Sequence, residues 1–243
     1  MAFRARPDDV TPASRNATQR VPYGELRETV DRLLQVALRL VAAGDQQLDL
    51  SPLLGLGTDL QGFVVELQRF GKVDILINCA GIIKRMPTLT MPEEEWADIL
   101  NTNLTGTLRA CQIFGKHMLE RGYGRVVNVA SLNSFVALTE VAAYAASKSG
   151  VVSLTRSLAV EWSKKGVTVN AIAPGVFRTA LNADLLDNAP RGQELLMRTP
   201  MGRFGRTEEL VGAAVYLCSD AASFVTGETL VIDGGFLASG VNQ

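Results

Sequence analysis

Tyr144 and Lys148 stand four residues apart in a helical stretch, so their side chains share one face. A free tyrosine ionises near ~10 and is a poor base at neutral pH. An ammonium group beside it favours the phenolate and lowers that value, at ~1.4 kcal/mol for each unit. Such a phenol can give a proton to a carbonyl oxygen or take one from an alcohol. Alone, the pair reads equally as a common arrangement on a helix surface. Ser131, thirteen residues before Tyr144 and at the carboxyl end of an expected strand, adds a hydroxyl that could hold the same oxygen. Asn103 lies in Asn103-Leu104-Thr105-Gly106, within a helix where Asn and Gly are poor formers, so its amide has a structural or a water-holding role. Asn78 and Gly81 follow an apolar run, where a glycine suits close approach of a ligand. Pro174-Gly175 ends a later run in the same way, and Thr179 follows four residues on.

The elements that must carry these residues alternate from residue 73 onward. Strands are expected at Val73–Asn78, Gly124–Ser131, Val167–Ala173 and Thr229–Asp233. Between them, Pro92 opens a helix with three acidic residues in its first turn, and apolar periodicity continues to Gly122. A second helix is expected over 142–163. A third is expected to be capped by Thr207, with Glu208 and Glu209 in its first turn. The strands are near-continuous runs of Val, Ile and Leu, as in parallel strands covered on both faces. The predicted fold is therefore α/β, a doubly wound parallel sheet forming a single Rossmann-like domain over 1–243. Ligands of such sheets lie beyond the carboxyl ends of the strands, so the loops at Asn78, Ser131 and Pro174 should line one crevice. Upstream, 25–43 reads as an amphipathic helix, 46–50 as a possible strand and 59–70 as a helix.

Composition excludes several function classes. With 243 residues, 47% apolar and 20% charged, the chain is long enough for a sizeable core and is not disordered. Its 24 basic and 25 acidic residues leave no electrostatic footprint for nucleic acid. Cys79, Cys111 and Cys218 are too few and scattered for a disulfide framework or zinc cluster and read as reduced thiols. The one histidine, His117, excludes a multi-histidine metal site and reads as a surface residue. No metal is expected. Without a signal peptide or an apolar run long enough to span a membrane, the protein reads as soluble and cytoplasmic.

Taken together these segments resemble the short-chain dehydrogenase/reductase family over roughly 59–239, leaving 1–58 as an atypical N-terminal part. Tyr144-Ala145-Ala146-Ser147-Lys148 is similar to the family's Tyr-x-x-x-Lys, and Ser131 to its upstream serine. Asn103 matches its Asn-x-x-Gly motif, and Asn78-Cys79-Ala80-Gly81 its Asn-Asn-Ala-Gly segment. Pro174, Gly175 and Thr179 match its Pro-Gly turn, and Asp233-Gly234-Gly235 its last strand end. The resemblance implies hydride transfer between NAD or NADP and a carbonyl or secondary alcohol of a small-molecule substrate. It implies Tyr144 as the acid/base, Lys148 lowering its pKa and holding the nicotinamide ribose, and Ser131 polarising the substrate oxygen. Asn103 would anchor a proton-relaying water. Asn78, Ala80 and Gly81 would border the cofactor, and Thr179 and the backbone after Pro174 would hold its carboxamide. It also implies a homodimer or homotetramer through the helices at 92–120 and 142–163 and the last strand. The runs Asn78–Arg85 and Arg203-Phe204-Gly205 look like those of sugar-acid dehydrogenases acting on gluconate or deoxygluconate; 3-oxoacyl-carrier-protein ketoreductases share most motifs. Arg85 or Arg178 could pair with a substrate carboxylate, against the plainer reading of a solvated arginine.

The chain departs from the family at its start. In place of a Thr-Gly-x-x-x-Gly-x-Gly phosphate loop it has Thr11-Pro12-Ala13-Ser14-Arg15-Asn16-Ala17-Thr18, with no glycine and a proline that lacks an N–H. The first strand–loop–helix unit is thus divergent or incomplete, and Asp49 is a guess for an adenine-contacting aspartate. Either this part has diverged, and cofactor binding with it, or an unrelated reading frame is fused to an intact body; the abruptness of the change favours the second. The corresponding alternative to an enzyme is a non-catalytic member with impaired cofactor binding. Cys79 in place of the second asparagine cannot supply an amide's hydrogen bonds.

Overall fold

The structure, a computed structural model, describes residues 73–178, Leu186 and residues 190–240. Thr179, Asp49, Thr11–Thr18 and the elements expected over 25–43, 46–50 and 59–70 lie outside the described residues.

Among the described residues four strands form one parallel sheet in chain order: β1 (Ile75–Asn78), β2 (Gly124–Val129), β3 (Val167–Pro174) and β4 (Thr229–Ile232). Asn78 pairs with Asn128, Val129 with Ile172, and Pro174 with Ile232, which brings the carboxyl ends of all four to one edge. The Val- and Ile-rich β3 is buried along its whole length and β2 nearly so, as expected of strands covered on both faces. The outer strands β1 and β4 are only half-buried.

Helices lie on both faces. On one face α2 (Gly106–Arg121) and α3 (Ala142–Trp162) pack Cys111, Met118, Leu158 and Trp162 against Val126, Val167 and Val169. On the other, α5 (Val211–Cys218) packs Ala214, Val215 and Cys218 against Val127 and Ile172. The alternation of Val126 and Val127 between these clusters is the two-residue period of a strand. The expected helix from Pro92 to Gly122 is α1 (Glu93–Leu100), a π-helical turn (Asn101–Thr105) and α2. Pro92 stands just outside, in the N-cap position, and Gly122 ends α2 in the left-handed conformation at φ 70°. A further helix, α4, spans Pro190–Met197.

The expected cap at Thr207 is corrected. Arg206 holds the cap position of a 3₁₀ turn (Thr207–Leu210) that leads into α5. The Glu209 carboxylate accepts the Arg206 backbone N–H at 2.8 Å and clasps Arg203 with bonds of 2.7 and 2.8 Å. Glu209, at the third position, thus closes back onto the Arg206 N–H and sets the cap there, while the Thr207 hydroxyl turns to Glu208 and caps nothing. All three cysteines are free thiols, and His117 is half-buried beside Glu120. Among the described residues no helix is long and apolar enough to cross a membrane, and no cluster of three His, Cys, Asp or Glu side chains could hold a metal ion.

Candidate active site

The carboxyl ends of β1 and β2 and the first turns of α3 converge on one cleft. Ser131 follows β2 and caps a 3₁₀ turn (Leu132–Ser134), its hydroxyl accepting from the Asn133 N–H at 3.2 Å. Tyr144 lies in the first turn of α3, buried, with its phenol under the influence of the Ser131 hydroxyl. Lys148, one turn on, is 2% exposed, and its Nζ donates to the Val129 carbonyl at 2.7 Å. That nitrogen stands 5.8 Å from the centre of the Tyr144 ring. The three residues singled out by spacing are therefore brought together.

The electrostatics differ from the expected phenol made acidic by its amine. Burial raises the Tyr144 pKa above its ordinary 10, and the Ser131 hydroxyl only partly offsets this. Lys148 is pushed down from 10.5 to about 8, again by burial, while the Cys79 side chain acts in the opposite sense. Cys79 is itself pushed up to about 12, so a neutral thiol faces the ammonium. Desolvation decides both shifts: at pH 7 the site holds a protonated phenol beside a protonated amine.

The loop after β1 forms the opposite wall. Asn103, inside the π-helical turn and fully buried, accepts the Ile82 N–H at 2.7 Å and donates to the Ile82 carbonyl at 2.9 Å. The same amide donates to the Ser147 hydroxyl at 3.0 Å, which donates to the Tyr144 carbonyl at 2.8 Å. A Cβ on Gly81 would come within 3.3 Å of Asn103 Oδ1 and 3.4 Å of Lys148 Nζ, so the bare backbone there leaves the amine approachable. The Asn78 amide bonds Asn128 at 2.9 Å and the Cys111 thiol at 3.2 Å, and Asn128 bonds Thr155 of α3 at 2.9 Å. Asn78 thus ties the end of β1 to β2 and α3, while the neighbouring Ala80 is exposed. Past β3, Gly175 lies against Asp233, where a Cβ would meet the Asp233 Cα at 2.6 Å. The Asp233 carboxylate accepts the N–H groups of Gly235 and Leu237, each at 2.8 Å.

Ser147, Asn128 and Thr155 are links that the motif reading missed. Ser147 was visible only as a small polar residue three positions after Tyr144. Of the two arginines considered for a carboxylate, Arg85 pairs with Glu140 at 2.7 Å, and Arg178 lies exposed beside Arg203 and Arg206 in a shallow pocket of about 400 Å³.

The sequence profile described as enoyl-(acyl carrier protein) reductase matches residues 58–237, about three quarters of the chain. The chain belongs to the short-chain dehydrogenase/reductase family. As a member it is an NAD(P)-dependent oxidoreductase. It is 38% identical over 215 residues to the 2-dehydro-3-deoxy-D-gluconate 5-dehydrogenase of Dickeya dadantii, covering 88% of this chain and 83% of that enzyme. That alignment reaches upstream of residue 58. It is 46% identical over 167 residues to the D-threitol dehydrogenase of Mycolicibacterium smegmatis, covering 69% and 64%. Among solved structures, gluconate 5-dehydrogenase from Burkholderia cenocepacia J2315 in complex with NADP and tartrate superposes with a TM-score of 0.70 at 37% identity, covering 74% of this chain and 71% of that one.

The donor set fits a nicotinamide nucleoside. Among the described residues Val129 takes one of the three N–H donors of Lys148, which leaves donors for a vicinal diol such as a ribose presents. The bare backbone at Gly81 leaves that amine open to approach, while the bare backbone at Gly175 lets the end of β3 lie against Asp233.

Proposed function

We propose that this chain interconverts a secondary alcohol and the corresponding ketone on a small sugar acid or polyol. The observation that carries the reading is the convergence of the buried Tyr144, the Ser131 hydroxyl and the buried ammonium of Lys148 on one cleft. Bound NAD(P) supplies or accepts the hydride. For ketone reduction Tyr144 gives its proton to the carbonyl oxygen while Ser131 holds that oxygen; for oxidation the proton returns to Tyr144. The Lys148 ammonium offsets the negative charge left on the phenol and donates to the ribose. Asn103 fixes the loop that borders the amine and anchors the water through which Lys148 exchanges its proton. Asn78, Ala80 and Gly81, with the backbone after Pro174 and Thr179 beyond it, border the nicotinamide half. The similarity to enzymes named for gluconate, deoxygluconate and threitol supports the substrate class.

Steady-state turnover of D-gluconate and D-threitol with NAD⁺ and NADP⁺, together with fluorescence titration of NADH and NADPH, tests the reading. Saturable cofactor binding with turnover of either substrate is expected. The glycine-free Thr11–Thr18 favours one competing reading, a non-catalytic member; absence of saturable binding at millimolar cofactor would establish it in place of the enzyme. Assembly as a homodimer or homotetramer in the cytoplasm belongs to the same proposal. The α2–α3 face supports it: Val160 is 80% exposed, and Leu119 and Trp162 line a groove of about 450 Å³. Light scattering of the purified protein measures the assembly.

A further inference from the structure

Three charged side chains from three separate segments meet beside the loop that joins Ser131 to Tyr144. Arg85 follows β1, Glu140 precedes α3, and Arg191 lies in the first turn of α4. Arg85 Nε is 2.7 Å from Glu140 Oε2. Arg191 Nη1 reaches the Thr139 carbonyl at 3.4 Å, and its guanidinium senses both Arg85 and Glu140.

This junction adjoins the reactive pair. Ile83, two residues before Arg85, and Val141, one residue after Glu140, pack in the same apolar cluster as Tyr144. Leu138 packs against that cluster and also against the one that holds Leu195 of α4. The same α4 cluster contains Leu132, next to Ser131. Arg191 therefore sits on the helix that covers the Ser131–Tyr144 loop.

Glu140 is also the one non-glycine residue with positive φ among the described residues, at 67°. Its carbonyl accepts the Met86 N–H at 2.9 Å while its carboxylate holds Arg85. A side chain kept in a sparsely populated backbone region by contacts at both ends is a common mark of a functional site.

The charge at this place is incompletely balanced. Glu140 is committed to Arg85. The other acid near Arg191, Glu194 on the same helix, is exposed to solvent. Burial and the like charge of Arg85 lower the Arg191 pKa, with Glu140 and Glu194 acting against them. An arriving carboxylate would relieve that repulsion and can take two parallel N–H···O bonds from a guanidinium.

We propose that Arg191, together with Arg85 tethered by Glu140, forms the subsite for the substrate's carboxylate and sets a preference for sugar acids over neutral polyols. The proposal rests on the dehydrogenase reading above and adds the group by which that site tells its substrates apart. The test compares kcat/KM for D-gluconate and D-threitol in the wild type, Arg191→Met and Arg191→Lys, and follows tartrate binding calorimetrically in the presence of NADP⁺. The gluconate-to-threitol ratio is expected to fall at least ten-fold in Arg191→Met, chiefly through KM for the acid, and to fall less in Arg191→Lys. Tartrate affinity is expected to fall at least ten-fold in Arg191→Met. An unchanged ratio, or tartrate bound equally well by Arg191→Met, overturns the proposal. If the wild type turns over neither substrate, the dehydrogenase reading fails, and the tartrate titration still decides the subsite. Binding that Arg191→Met loses upholds it, and a wild type that does not bind tartrate overturns it.

Discussion

The side-chain amide of Asn103 donates to the hydroxyl of Ser147 at 3.0 Å, and neither residue is accessible to solvent. Through this bond the loop after β1, held at both backbone groups of Ile82, is fastened to the helix that carries Tyr144 and Lys148. The two walls of the cleft thus share one buried polar joint, with each hydrogen-bonding group of the Asn103 amide engaged.

Removing the hydroxyl with Ser147→Ala leaves one buried Asn103 N–H without its acceptor. An unmet buried donor costs about 1–3 kcal/mol. The variant is expected to melt several degrees lower than the wild type, as measured by circular dichroism on heating. A melting temperature equal to that of the wild type would mean that the joint carries no strength.

Tyr144→Phe keeps the buried ring and deletes the proton donor. Turnover is expected to drop by about 10²–10⁴-fold, the usual contribution of a positioned acid or base. The NADPH dissociation constant, read by fluorescence, should change less than two-fold. Residual turnover near the wild-type rate would reassign the proton transfer to another group.

Burial shifts the two titrating groups in opposite directions. Lys148 carries its proton below about 8 and loses it as the pH rises through that value. Tyr144, raised above 10, stays protonated over the same range. Ketone reduction needs the phenol protonated and the ammonium charged, so kcat/KM for reduction should be level on the acid side of 8 and decline above it. A pH–rate profile from 6 to 10 measures this, and a decline beginning only at 10 would leave Lys148 uninvolved.

The thiols should be quiet. Burial pushes Cys79, Cys111 and Cys218 from 9 up to about 12. At pH 8 their thiolate fraction is therefore far below that of a free cysteine. Native protein mixed with an aromatic disulfide reagent at pH 8 is expected to label over hours, and denatured protein within seconds. Rapid native labelling of one residue would identify an open thiol.

Much of this site could be read from residue types. β2 and β3 are Val- and Ile-rich runs because both of their faces are covered, and a helix from 142 follows from periodicity alone. Four-residue spacing places Tyr144 and Lys148 on one face, but it says nothing about how dry that face is. Desolvation, which comes from tertiary packing, reverses the expected direction of the Tyr144 shift. Ser147 was hidden because a serine inside a helix carries no signal until its partner, 44 residues away in sequence, is placed beside it. Glu140 gave no warning either, since a left-handed backbone at a glutamate is imposed by Met86 and Arg85 and not by local preference. The cap before α5 falls one residue ahead of Thr207 because the Glu209 carboxylate reaches back to the Arg206 N–H while also holding Arg203.

The π-helical turn at Asn101–Thr105 makes the cleft, rather than the core, sensitive to the length of the chain there. Its wider winding accommodates a surplus residue between α1 and α2, and each residue of an α-helix advances the side chains by roughly 100°. Deleting one residue there would let the chain wind as unbroken α-helix, keeping Cys111, Phe114 and Met118 turned to the interior while withdrawing Asn103 from Ile82. A one-codon deletion within 101–105 would therefore dismantle the cleft and spare the packing beneath it.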